Sequence, residues 1–396
     1  MSASATAFDG ASIDVISLAD HRRKTIQRGA TYGRYLPSGH LIYINRGTLF
    51  AVPFDLDRLD VRGTPVPVLS EVAYTRSAGS AQLAFSQRGT LVYRSGRGLM
   101  IVPWLDAMGK TQALLDRPGD YLHIELSPDG NRLALLSAGD VWVYEAPRFT
   151  MTRLTVGGGM HANPTWSPDG RFIVFQDSGG ISWTRSDGSG AAQPLTRSKN
   201  AQYPYSFSPD SKRLAFYETD PQTLFDVWTV PLEYDAAGLH AGKPEPFLHT
   251  SADERHGVFS PDGHWLAYTS SATGLFQVFV RAFPDKGGQW VVSVGDGTFP
   301  WWSKNGRELF YRTLGGQVMV VNYTVKGGSF VTDKARPWTD KRLGITDTGR
   351  NFDLSPDGKR VAALLPAETA EVQRAQNHVI LLENFFDEVR RHFPER

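Results

Sequence analysis

Residues 165 to 180 read TWSPDGRFIVFQDSGG, and this stretch decides the fold because the chain writes it again and again. Within it, Pro168 presets φ for the second position of a type I turn, Asp169 tolerates the third, and Gly170 supplies the left-handed residue that closes a bulged hairpin. The phrase therefore predicts strand, turn, strand. Copies stand at Leu126 (LSPDGNRLALLS), Phe207 (FSPDSKRLAFYE), Phe259 (FSPDGHWLAYTS), Trp302 (WSKNGRELFYRT) and Leu354 (LSPDGKRVAALL), with weaker ones at Tyr35 (YLPSGHLIYI) and Phe85 (FSQRGTLVYR). A basic or polar residue and then a short apolar run follow each turn, the pattern of a buried second strand. A third strand is read in DVWVYE, GISWTR, DVWTVPL, QVFVRAF and QVMVVNY, and a shorter fourth in TRLTV, QPLTR, EPFLHT and QWVVSV. For the two weak copies, GTLFAVPF and LMIVPWLD are the matching third strands.

The phrases at 126, 166 and 207 are 40 and 41 residues apart, and those at 207, 259, 302 and 354 are 52, 43 and 52 apart. Two long connections, EYDAAGLHAGKPE (233–245) and TVKGGSFVTDKARP (324–337), account for the wide steps. Four strands per repeat predict an all-β chain folded as a single β-propeller of four-stranded blades, about eight of them, with seven the alternative. Its expected layout is closing strands in 1–28, repeated blades in 29–383 and a helix or tail in 384–396. Residues 22–28 are expected to complete the last blade, whose third strand is NHVILLEN, and this leaves SIDVISLAD surplus. The surplus strand pairs within the molecule or with another, or belongs to a longer protein whose preceding hairpin is absent here. Leu382, Phe385, Phe386, Val389 and Phe393 fall on one helical stripe, with Asn384 as its cap.

Lys plus Arg (42) nearly balances Asp plus Glu (41) among 396 residues, so net charge gives no field to gather nucleic acid. With no cysteine there is no disulfide framework, thiolate metal site or Cys nucleophile. No apolar run approaches the roughly 18 residues of a membrane helix, and the N-terminus lacks a signal-peptide pattern, so the chain as written is expected in the cytoplasm as a monomer.

The recurring phrase resembles the WD-like repeat of the periplasmic translocation protein TolB. Nearly end to end, the chain also resembles the propeller that follows the kinase domain of many bacterial serine/threonine protein kinases. That second resemblance rests on YGRYLPSGHLIYINRGTLFAVPFDLDRL, KNAQYPYSFSPDSKRLAFYE, ERHGVFSPDGHWLAYTSSATGLFQVFVRAFPDKGG, FPWWSKNGRELFYRT and NHVILLENFFDEVRR. It implies a sensing or docking module served by a kinase domain in cis or in trans, and a place beyond the membrane. The kinase machinery does not carry over: the chain has no Gly-rich nucleotide loop, no VAIK-like strand, no HRD with its downstream Asn and no DFG.

Other chemistry finds little support. A propeller-linked serine hydrolase needs a G-x-S-x-G elbow and an α/β domain, and the repeats leave no room for one. DLDRLD (55–60) lacks the Gly and final Glu of a calcium loop and reads as a solvated connector. GGG (157–159) and DGSG (187–190) read as turns, because no helix follows to direct its N-terminus at a phosphate. The recurrent tryptophans, among them Trp142, Trp166, Trp183, Trp228, Trp265, Trp301 and Trp302, suit packing between blades. No cofactor and no metal are expected.

Geometry supplies the candidate site. The first strand of each blade lines the central channel, and the residues just ahead of each phrase reach its mouth. Three to five places ahead stand His123, His161, Asn163, Tyr203, Arg255, His256, Phe299, Arg350 and Asn351. Hydrogen-bonding and aromatic groups converging on a concave mouth suit a protein, peptide or small-molecule ligand. The bland reading is that these side chains satisfy backbone edges or channel water. The leading expectation is a noncatalytic β-propeller scaffold. The alternatives are a propeller enzyme such as a metal-dependent lactonase, enlisting Glu125, Asn163, Glu254 and Asn351, and a fragment of a larger kinase.

Overall fold

All eight turn phrases are strand–turn–strand hairpins. The structure is a computed structural model and describes every residue except 1–10, 19, 46, 76–78, 96–98, 157–160, 286, 344–348, 368–378 and 394–396. The GGG stretch and the first ten residues lie outside the described residues.

The turn chemistry is the expected one, with an addition. Gly170 sits at φ +68° and donates its N–H to Ser167 O at 2.8 Å, closing the turn. Ser167 Oγ accepts the Phe172 N–H at 3.0 Å and donates to Asp169, whose Oδ1 accepts the Arg171 N–H. The serine before each Pro-Asp thus pins the turn from inside, and Ser127, Ser208, Ser260 and Ser355 repeat the arrangement. Asn305 takes the aspartate's part in SKNG.

The described residues gather into two compact units, 100–366 and 1–99 with 367–396. In the first unit, five sheets run in chain order: C (Tyr121–Leu126, Arg132–Ser137, Asp140–Glu145, Thr150–Arg153), D (Ala162–Trp166 to Gln193–Pro194), E (Gln202–Phe207 to Glu245–Leu248), F (Glu254–Phe259 to Gln289–Val291) and G (Thr298–Trp302 to Arg336–Arg342). Sheet H has its two inner strands, Phe352–Leu354 and Arg360–Ala363, from the end of the unit and its two outer strands, Met100–Asp106 and Thr111–Gly119, from the beginning. This pairing closes a ring, because Ile124 N–H of sheet C bonds Arg350 O ahead of sheet H (3.0 Å), while Trp301 of sheet G packs on Phe352. Six sheets therefore form a closed β-propeller within 100–366.

Neighbouring sheets are stapled at equivalent places. The Trp166 and Trp302 indoles donate to Glu125 O (3.0 Å) and Val258 O (2.9 Å) of the preceding sheet, so these tryptophans do pack between blades. Glycines and prolines of adjacent turns touch in the same way, as with Gly263 on Pro209 and Gly130 on Pro356. Both long connections are protruding β-hairpins: Leu239–Ala241 pairs with the end of Leu224–Tyr234 on sheet E, and Ser329–Thr332 with the end of Gln317–Lys326 on sheet G.

The second unit holds sheet A, which begins with Thr31–Tyr35, and the three-stranded sheet B (Leu83–Phe85, Leu91–Arg94, Val379–Leu382). Helix Phe385–Arg391 buries Phe385, Phe386 and Val389 against Leu36, Ile42, Leu49 and Leu91. Asn384 precedes it in the left-handed region and makes no side-chain cap, contrary to expectation. The DLDRLD connector is a hairpin end in which Asp55 accepts the N–H groups of Asp57 and Arg58.

The propeller class and its four-stranded sheets are as the repeats predict, but the closed ring of 100–366 has six sheets rather than eight or seven, and its closure is not the expected one. Arg23–Arg28 pairs with Ser12–Ile16 rather than completing the last blade. The third strands of the second and eighth phrases are exchanged. LMIVPWLD pairs with Arg360–Ala363, and Val379–Leu382 pairs with Leu91–Arg94. Either strand satisfies the same apolar edge, so local pattern cannot choose between them.

Candidate functional site

Five of the ring's six inner strands, all but Phe352–Leu354 of sheet H, carry an irregularity near their start. His123, Asn163, His256 and Phe299, all three places ahead of their phrase, have φ between +43° and +59°, and the ladder register shifts beside each. A bulge puts two residues opposite one and re-aims the side chains before it. His and Asn accept the left-handed region more readily than Phe, so Phe299 is held there by its packing.

That packing is continuous across the axial end of the ring. Phe299 stacks on His256 (centroids 4.2 Å), which lies 5.2 Å from Tyr205 and edge-on to Tyr217 at 5.5 Å. Tyr217 stacks on Tyr203 at 4.9 Å, and its hydroxyl accepts from Asn163 Nδ2 at 3.1 Å. Arg350 lies over Tyr205 (4.7 Å) and over Trp301 (3.8 Å), donates to Tyr205 O and pairs with Glu125 at 2.7 Å. Arg312 covers the Phe299 ring at 4.7 Å.

Asn163, Tyr203, His256, Phe299 and Arg350 are thus brought into one connected cluster. The His123 ring fills the space beside Gly349, where a Cβ would stand 1.9 Å from it. Asn351 is wholly buried, its carbonyl accepting the Leu364 N–H. Arg255 is half-buried at the edge, over Phe225 (3.9 Å) and paired with Asp253. His161 stands apart, 3.9 Å from both Asp140 and Asp177 and edge-on to Phe175. Seven of the nine candidates are buried, Arg255 and His161 being the partly exposed ones, so side chains fill the axis at this level.

Electrostatics follow from this burial. Burial pushes the Glu125 carboxyl up to about 8 against the pull of Arg350, with the Asp353 charge adding to the rise. Asp353 is pushed up to about 7 for the same first reason. Its Oδ2 accepts the Leu126 N–H at 2.6 Å, joining sheet H to sheet C. One guanidinium cannot neutralise two buried carboxylates, so the pair retains a proton near neutrality. His256 is held well below the imidazole range by burial first and then by Arg255, Arg312 and Arg350.

The sequence reading missed Tyr205, Tyr217, Thr269, Arg312 and Asp353. A signal existed for three of them. Tyr217, Thr269 and Arg312 all stand ten places after the start of their phrase, polar groups in otherwise apolar second strands, and Thr269 Oγ1 is 3.2 Å from His256 Nδ1. The four residues enlisted for a metal enzyme are engaged separately: Glu125 with Arg350, Asn163 with Tyr217, Glu254 with Thr250, and Asn351 in the core. Among the described residues no three His, Asp or Glu side chains form a metal-ligand group. No helix among them is long and apolar enough to cross a membrane.

Ring closure within sheet H and the axial first strands define a β-propeller. Its architecture is TolB-like: a protein assigned as TolB from Agrobacterium tumefaciens superposes with TM-score 0.52 at 20% identity, over 67% of this chain and 98% of that one. TolB from Acinetobacter baumannii aligns with TM-score 0.42 at 14% identity, over 85% of this chain and 79% of that one. At such identities the likeness concerns the fold alone. In sequence, the uncharacterized peptidase YuxL of Bacillus subtilis (strain 168) is 24% identical over 191 residues, covering 38% of this chain and 29% of that protein. The chain thus spans under a third of that relative's length. No family model matches the chain.

Proposed function

We propose that the chain is a noncatalytic β-propeller recognition module that takes a protein, peptide or small ligand at the axial mouth, as the sensing or docking part of a kinase-type or TolB-like system. The observation that supports this is the axial cluster itself. Arginine planes, stacked rings and amides occupy the position where a propeller presents its first strands, while the surrounding sheets are apolar. In this reading Arg255 and His161 meet the partner, and His123, Asn163, Tyr203, His256, Phe299, Arg350 and Asn351 form the rigid layer behind them.

The test is affinity capture with the intact chain from lysate, followed by titration of the purified partner against wild type and Arg255→Ala. A partner whose affinity falls about tenfold or more in the variant supports the reading. Hydrolysis of aminoacyl or lactone substrates by the purified chain, abolished by substitution of a residue in the axial cluster, overturns it in favour of an enzyme.

A further inference from the structure

The connection from sheet E to sheet F, residues 249–253, meets a cluster of titratable groups that neither ring closure nor the axial cluster uses. It opens with His249, directly after strand Glu245–Leu248, and runs into Glu254–Phe259, the first strand of sheet F. Asp226, in strand Leu224–Tyr234 of sheet E, and Glu254 stand on its two sides.

Burial makes these two carboxyl groups unusual, Asp226 being 1% exposed and Glu254 2%. Asp226 Oδ2 accepts from Thr223 Oγ1 at 2.7 Å and is 2.9 Å from His249 Nδ1, and Glu254 Oε1 accepts from Thr250 Oγ1. The second oxygen of each, Asp226 Oδ1 and Glu254 Oε2, has no hydrogen-bond partner. Carboxyl groups left half-satisfied in a seam between sheets are tolerated only while a proton or a cation offsets their charge. Arg255 is taken by Asp253. The cation that reaches Asp226 is His249.

His249 is placed to exchange protons with solvent. Its side chain is 57% exposed, whereas that of Asp226 is 2% exposed. The Asp226 hydrogen bond and then the Asp226 charge hold the imidazole above its ordinary range, and Asp220 and Glu254 add to the rise. Burial pushes the Glu254 carboxyl up against the hydrogen bond from Thr250, with the charges of Asp226 and Asp253 adding to the rise. Tyr268 of sheet F also lies within reach of the Glu254 charge. As pH rises, His249 loses its charge and Glu254 its proton, and both changes leave the seam with uncompensated negative charge.

The connection is pinned at its far end, where Asp253 N–H bonds Ser271 Oγ and Asp253 O accepts the Ser271 N–H on the sheet F turn. At the near end strand pairing reaches only to Leu248, opposite Val227, and the His249–Asp226 contact takes over from there. Ser251, between the two ends, is exposed.

We propose that Asp226, His249 and Glu254 form a proton-operated latch: with His249 charged the connection is seated against sheet E, and with His249 neutral it lifts, loosening the segment that leads into Arg255. Its control of recognition rests on the reading of the mouth given above. The latch itself is a property of the connection.

The chain has no native cysteine, so a nitroxide on Ser251→Cys reports the connection alone. Its spectrum is recorded on the full chain from about pH 5.5 to about pH 8.5. The mobile component is expected to grow about twofold or more across that range, with a midpoint above about 6.5. His249→Gln and Asp226→Asn should each abolish the transition, the first leaving the connection mobile throughout. A label on Ala272→Cys, in the exposed sheet F turn, should not respond. A spectrum that does not change with pH, the same transition in His249→Gln, or an equal response at position 272 overturns the latch. A responding label with a captured partner indifferent to Arg255→Ala supports the latch and removes the mouth reading.

Discussion

The guanidinium carbon of Arg350 lies 3.8 Å from the centroid of the Trp301 ring. Arg350 comes just ahead of sheet H and Trp301 from sheet G, so this stack bridges two neighbouring blades at the axis. With the Glu125 ion pair it links three consecutive sheets of the ring, G, H and C. Arg350→Met should keep much of the packing but leave Glu125 without its cation, costing about 3–5 kcal/mol in urea unfolding above about pH 8, where that carboxyl is ionised. Adding Glu125→Gln should recover a large part of that loss. Equal stability of the single variant and wild type would remove Arg350 from the centre of the account.

Gly170 tests the turn chemistry. At φ +68°, with space beside it bounded by Arg132 Nη2 at 3.2 Å, a β-branched residue is disfavoured by both backbone and neighbours. Gly170→Val is expected to cost about 1–3 kcal/mol, read as a lowered thermal midpoint. Ser211 already occupies the equivalent place at φ +62°, so Gly170→Ser should cost less.

Stability should depend on pH in two opposing ways. Glu125 and Asp353 hold their protons up to about 8 and about 7 in the folded state, whereas the unfolded chain releases them near the ordinary carboxylate range. From roughly pH 5 to pH 8 the folded protein therefore binds more protons than the unfolded one, and stability falls as pH rises. His256, lowered by burial and three arginines, acts in reverse, withdrawing stability as pH falls below about 6.5. Denaturant melts should be most stable on the acid side of neutrality, and Glu125→Gln with Asp353→Asn should flatten the decline above it. A decline of unchanged slope in that variant would place the protons elsewhere.

Much of the fold was legible because the turn phrase is local: serine, proline, aspartate and glycine act within six residues, and all eight copies made hairpins. Closure was not legible. Met100–Asp106 and Val379–Leu382 are both apolar third strands, and the choice between two equivalent edges is made by the whole ring rather than by either segment. The candidate residues were found from their distance to the phrase, and five of them join one cluster. Their depth was missed, because whether His256 faces solvent or Phe299 depends on the neighbouring sheet. Tyr217, Thr269 and Arg312 escaped because each sits inside a run that reads as core.

Ring closure in sheet H underlies everything argued about the axis, and the absence of native cysteine makes it directly measurable. Asp106 and Arg360 are cross-strand partners between the first and last segments of the ring, at a separation a disulfide can span. Asp106→Cys with Arg360→Cys should form that disulfide in the folded protein under mild oxidation, seen as a mobility shift on a nonreducing gel, and should raise the unfolding midpoint. Thiols that stay free in the native state, or crosslink only after denaturation, would contradict a six-sheet ring closed at this seam.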